Sequence, residues 1–169
     1  IQDLIQKMPS TRLANYCFSG SNELQFENQS TNWGLDEKSI SNGAAYGDLD
    51  NDGDLDLVVN NLNQPAFVYQ NQVAPAENHY LKVKLLGKAP NAQGIGAMVK
   101  VELESATLTR EAYYSRGYQS SMEPILTFGL GNAAIAKSIR VIWPDGTVSL
   151  LENVAANQTL EIDQAKAQH

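Results

Sequence analysis

Asp48-Leu49-Asp50-Asn51-Asp52-Gly53-Asp54-Leu55-Asp56 decides the reading of this chain. Carboxylates stand at loop positions 1, 3, 5, 7 and 9, with glycine at position 6. Calcium is a hard cation that gathers about six to eight oxygen ligands. Alternate residues of a tight loop can turn their side chains toward one ion, and Gly53 provides a sharp turn that a β-carbon would obstruct. Asp54 would then offer its backbone carbonyl. The candidate ligands are Asp48, Asp50, Asp52, Asp54 and Asp56, and the expected cofactor is Ca2+. Magnesium suits the pattern less well, because it demands strict octahedral geometry and keeps its waters. The plain alternative is a solvated acidic turn. It needs neither the alternation nor the glycine, and in water it costs about 1 kcal/mol of repulsion per pair of charges at ~4 Å.

Outside this stretch the acidity disappears. The net charge is −7, and five of the nineteen acidic residues lie in these nine positions; the remainder leaves fourteen acids against twelve bases. With no basic stripe, nucleic acid is not an expected partner. The twelfth loop position is Val59 rather than glutamate, and Leu57-Val58-Val59 has the texture of a strand, so an EF-hand is excluded.

Moving outward, Leu55, Leu57 and Val59 alternate with Asp56, Val58 and Asn60, and Ala66-Phe67-Val68-Tyr69 follows an Asn-rich turn, which predicts a hairpin. Residues 71–78 form the best boundary. Beyond them Leu81, Val83 and Leu85 alternate with Lys82 and Lys84, and Ala97, Val99, Val101 and Leu103 alternate with Met98, Lys100 and Glu102. Ile139, Val141 and Trp143 repeat the pattern, Pro144-Asp145-Gly146 turns the chain back, and Leu160 and Ile162 close the set. The expected fold is all-β: a calcium-loop β-hairpin unit packed on, or linked to, a β-sandwich or barrel-like domain. Leu4, Ile5 and Met8 suggest a short N-terminal helix stopped by Pro9 and Ser10. Residues 132–136 suggest one helical turn. The expected division is residues 1–25 as helix and linker, 26–77 as the calcium unit and 78–164 as the second domain. Ile1 to Met8 lack an initiator methionine, and the chain is expected to be a segment of a longer protein.

Catalytic signals are sparse. Cys17 is the single cysteine, so neither an intramolecular disulfide nor a cysteine-based zinc site is expected. No stretch reaches the roughly 18–20 apolar residues of a membrane span. His79 and His169 are the only histidines, leaving little basis for a Ser-His-Asp mechanism. Gly129-Leu130-Gly131 looks loosely like a dinucleotide fingerprint but lacks the βαβ context, so a turn is expected there. Arg116, Tyr113, Tyr114, Tyr118 and Trp143 could supply an aromatic platform for a sugar or peptide. Trp143 shares a face with Ile139 and Val141 and is assigned to the core, which leaves Tyr113 and Tyr114 as the expected exposed, ligand-binding pair.

Two family resemblances emerge from these residues. Gly47-Asp48-Leu49-Asp50-Asn51-Asp52-Gly53-Asp54-Leu55-Asp56-Leu57-Val58-Val59-Asn60, followed by Phe67-Val68-Tyr69-Gln70-Asn71, resembles an FG-GAP/VCBS repeat over residues 26–71. Such repeats are blades of integrin-type β-propellers. The resemblance implies calcium ligands at Asp48, Asp50, Asp52 and Asp56, with Asp54 contributing through its main chain. Gly94-Ile95-Gly96-Ala97, Arg116-Gly117-Tyr118-Gln119-Ser120, Phe128-Gly129-Leu130-Gly131 and Trp143-Pro144-Asp145-Gly146 are together similar to an ASPIC/UnbV domain over residues 79–162. In that family the domain follows FG-GAP/VCBS repeats in secreted or surface proteins. A propeller needs about four to eight blades, and one repeat is visible here, so the missing blades of a parent chain are expected partners.

The expected function is a non-catalytic, calcium-stabilised surface module that binds a protein or glycan at an extracellular, cell-surface or periplasmic location. The alternative is an accessory part of a glycan-degrading enzyme, in which paired carboxylates would do acid–base work.

Overall fold

Alternating apolar residues in the C-terminal half pay for their ordering by closing two sheets over one core. The computed structural model describes residues 11–21, 23–72 and 78–168, and among these the chain is all-β apart from a short 3₁₀ turn at Gln164–Lys166. No helix among the described residues is long and apolar enough to cross a membrane. The expected N-terminal helix falls outside the described residues.

The first part contains β1 (Leu13–Ala14), β2 (Phe18–Gly20), β3 (Phe26–Asn28), β4 (Lys38–Ser39), β5 (Ser41–Gly47), β6 (Asp56–Asn61) and β7 (Phe67–Tyr69). β1 pairs with β4 and β2 with β3, so two short strands lie where a linker is expected. The reason is polar tethering. Ser30 Oγ accepts from the Cys17 N–H at 2.8 Å, and the Asn15 amide donates to Ser41 Oγ at 2.9 Å. β5, β6 and β7 form an antiparallel meander in that order. The predicted β6–β7 hairpin is present, with Asn63 at φ 57° in its turn. β5 has no clear apolar alternation and was not predicted; pairing with β6 holds it.

The second part contains β8 (His79–Leu86), β9 (Met98–Glu102), β10 (Thr107–Glu111), β11 (Ile125–Gly131), β12 (Ile135–Ile142), β13 (Val148–Ala155) and β14 (Gln158–Asp163). One sheet runs β10-β9-β12-β13 and the other β11-β8-β14, with β14 parallel to β8. Leu81, Val83, Leu85, Leu126, Phe128 and Ile162 from the second sheet meet Val99, Val101, Ile139 and Val141 from the first in one buried cluster. Residues 132–136 are not a helical turn. Ala133 closes a tight turn on Leu130, and Ile135 already pairs with Ala155 as β12 begins. Gly129-Leu130-Gly131 is likewise the end of β11 rather than a turn, with a register shift against β8. Ladder pairing with β13 outweighs the weak helical preference of a short alanine-rich run.

The turn motifs have steric reasons. Gly94 lies at φ 62°, and a β-carbon there would come within 3.0 Å of Trp143 Cζ3 and 3.1 Å of Leu85 Cβ. Trp143 is 2% exposed and donates its indole N–H to Ser149 Oγ at 3.0 Å. In the Pro144-Asp145-Gly146 turn, Asp145 Oδ1 accepts from the Thr147 hydroxyl and backbone N–H, and Oδ2 accepts from the Gln164 amide. The Thr147 hydroxyl, with help from its N–H, holds the Asp145 carboxyl below the usual range. A depressed carboxyl stabilises the fold fully above its unfolded value of about 3.9 and loses that contribution as pH falls through the lower folded value. Asp145→Asn is therefore expected to lower the melting temperature at pH 7. Melting scans from pH 7 to 2 should show the gap to wild type shrinking at the acid end; a pH-independent gap would contradict the assignment.

Candidate metal centre

The loop between β5 and β6 is shaped by its own backbone amides. Asp52 N–H donates to Asp50 Oδ1 at 3.3 Å and Asp54 N–H to Asp52 Oδ1 at 3.0 Å, two successive turns of the kind aspartate favours. Asn51 at φ 63° and Gly53 at φ 101° bend the chain between them. Asp48, Asp50 and Asp52 each bring a carboxylate oxygen to within 4.8 Å of the others. Gln70, just after β7, donates its amide to Asp50 Oδ2 at 2.7 Å.

Asp56 has a different task. Its Oδ2 accepts from Leu49 N–H and its Oδ1 from Asn71 N–H, both at 2.9 Å, and the residue is buried at the foot of β6. It ties the start of the loop and the segment just after β7 to the start of β6. Asp54 stands outside the group of three, with a buried carboxylate oxygen and its N–H on Asp52.

Asp48 carries the local electrostatics. Its side chain is 0% exposed. Oδ2 accepts from Gly53 N–H at 2.9 Å and pairs with the Lys82 ammonium from β8, while Oδ1 is buried with no hydrogen-bond partner. A buried carboxylate oxygen without a donor is costly. A cation among Asp48, Asp50 and Asp52 would satisfy it, so the residues present fit a hard divalent ion.

Sequence reasoning missed the second domain's share in this site. The alternation sets Lys82 and Lys84 on the face opposite Leu81, Val83 and Leu85, which reads as the polar face. The Lys82 side chain is instead 10% exposed, flanked in register by Thr127 and Thr159. Tyr80, on the same face, packs against the loop so closely that a β-carbon on Gly53 would fall 2.0 Å from its ring. A lysine alternating with valine and leucine reads the same whether its face meets water or another chain segment. Further along the junction, a β-carbon on Gly43 would meet Ser120 Oγ at 2.8 Å. The loop and strand β5 therefore pack directly on the second part of the chain.

The expected exposed tyrosine pair divides. Tyr113 is 52% exposed, with the Arg116 guanidinium 5.1 Å from its ring centre. Tyr114 is 7% exposed, belongs to the core and donates its hydroxyl to Gln93 O at 3.1 Å; burial pushes that hydroxyl above its ordinary pKa. Strand-like alternation turns adjacent residues to opposite sides, so two neighbouring tyrosines cannot share one exposed face. Both still border a cleft of about 610 Å³ at the junction, with Tyr46, Arg110, Arg116 and Met122.

The Gly94–Trp143 contact, the Asp145 turn and the two-sheet core all lie in one stretch of chain. Residues 87–169 match the family described as ASPIC and UnbV. The chain is also similar to cartilage acidic protein 1 of Homo sapiens, 31% identical over 134 residues covering 76% of this chain and 20% of that protein. The Xenopus tropicalis protein of the same name is 34% identical over 110 residues, 63% of this chain and 16% of the relative. The chain spans about a fifth of the length of these relatives. Strand β8 precedes the matched stretch yet is the central strand of one of its sheets, so the folded unit that contains the match begins at His79.

Proposed function

We propose that this chain is a non-catalytic module in which a calcium-bound FG-GAP/VCBS-type loop is clamped onto an ASPIC and UnbV domain. The observation that carries the reading is the buried, donor-free Oδ1 of Asp48, a residue that brings a carboxylate oxygen to within 4.8 Å of those of Asp50 and Asp52. Asp48, Asp50 and Asp52 would hold the ion, with Asp54 and Asp56 completing the loop. The metal would supply positive charge that binds the loop shut, a structural service rather than a catalytic one. The exposed aromatic residues Tyr16, Phe18, Phe26 and Trp33 on the first part suit packing by neighbouring repeat units of a longer chain. The cleft beside Tyr113 and Arg116 is the proposed contact for a protein or glycan. An extracellular or surface location is part of the same proposal and accords with relatives named for cartilage.

An extracellular calcium affinity of about 10⁻⁴ to 10⁻³ M would stabilise the fold by roughly 0.5–1.5 kcal/mol at millimolar calcium. Differential scanning calorimetry with calcium and then with chelator should show a melting temperature higher by a few degrees with the ion, about 1–6 °C for a stabilisation of this size. Identical scans together with no calcium uptake would refute the metal reading. A binding screen of glycans and matrix proteins, repeated on Tyr113→Ala, tests the cleft.

A further inference from the structure

We propose that Lys82 sets the calcium affinity of the loop as a built-in counter-cation. The inference rests on the calcium reading above and assigns a role to a residue outside the loop's aspartates.

Lys82 projects from the middle of β8, a strand paired on both sides by β11 and β14. Its ammonium reaches across the junction to Asp48 Oδ2, and both side chains are at least nine-tenths buried. Its Nζ also lies 5.7 Å from the centre of the Tyr80 ring, the same ring that blocks a β-carbon at Gly53. The lysine is thus held in place by a sheet and an aromatic ring, and cannot simply swing into water.

The two oxygens of Asp48 differ in their bonding. Oδ2 is taken by the protein's own donors, Lys82 Nζ and Gly53 N–H. Oδ1 is buried and accepts no hydrogen bond, which leaves it available to a metal. With Asp48, Asp50 and Asp52 ionised, the group carries three negative charges and Lys82 returns one positive charge. The balance for these four groups is negative and offsets the charge of one divalent ion. Two consequences follow from Coulomb's law. Without metal, Lys82 relieves part of the carboxylate repulsion, so the empty loop can stay folded on the sandwich. With metal, the ammonium repels the ion across one carboxylate and weakens its binding. A neutral side chain of similar length should therefore bind calcium more tightly and depend on it more.

The experiment uses the 169-residue chain, stripped with chelator, as wild type, Lys82→Met, Lys82→Gln and Lys82→Arg. Calcium chloride is titrated calorimetrically, and melting is followed with and without the ion. Lys82→Met is expected to bind calcium about tenfold more tightly, since a unit charge a few ångströms from a divalent ion is felt strongly near a protein surface. Its calcium-induced rise in melting temperature should also exceed that of wild type, and Lys82→Arg should stay close to wild type. Lys82→Gln provides the same neutralisation if the methionine variant fails to fold. Wild type binding calcium while both neutral variants bind it equally or more weakly overturns the role of Lys82 and leaves the metal reading standing. Folded wild type and folded neutral variants that all fail to take up calcium overturn the metal reading and this inference together.

Discussion

Replacing Trp143 with alanine is expected to destabilise the chain by about 3–5 kcal/mol, the range for removing a fully buried large aromatic side chain. Trp143 sits just past the end of β12 at the edge of the two-sheet core, where its ring packs against the Gly94 turn and its indole N–H satisfies Ser149. Truncation opens a cavity beneath the turn and removes the hydroxyl's partner at once. Neither side can collapse easily, because Gly94 is already in a left-handed conformation set by the Gly87–Gly94 loop. Urea unfolding followed by circular dichroism measures the loss. A change below about 1 kcal/mol, the scale of an ordinary surface substitution or less, would show that the core closes without the indole.

The second large effect is expected at Asp56. Asp56→Asn keeps the shape but leaves one acceptor where two backbone N–H groups converge, and turns an amide N–H toward a donor. One charge-assisted hydrogen bond is lost, a cost of about 1.5–3 kcal/mol. Measured in chelator, this effect belongs to the hydrogen bonds from Leu49 and Asn71 and not to any metal. Faster amide exchange at Leu49 and Asn71 should accompany it. Unchanged stability with unchanged exchange at those two amides would remove Asp56 from its structural role and return it to the candidate ligands alone.

These two residues also illustrate how legible the chain was. Trp143 was placed in the core from its alternation with Ile139 and Val141, because a half-buried strand imposes a period of two that survives without neighbours. Asp56 was read as a ligand among equals, because a list of aspartates does not say which of their oxygens meet backbone amides. Leu126, Phe128 and Leu130 share the same period of two and mark β11, a signal masked by the interspersed Gly129 and Gly131. β5 gave no signal of its own. Tyr113 and Tyr114 looked equivalent in sequence and are opposite in burial.

What the amino-acid order determined by itself was local: the all-β character, the β6–β7 hairpin, the Asp145 turn and the concentration of carboxylates in residues 48–56. Each of these depends on side-chain periodicity or turn chemistry within a few residues. The tertiary structure decided which carboxylates converge, that Asp56 serves two amides, and that Lys82 and Tyr80 from a strand more than twenty residues away complete the site. Long-range juxtaposition of buried charge depends on how two sheets and a loop pack, and no local pattern carries that information.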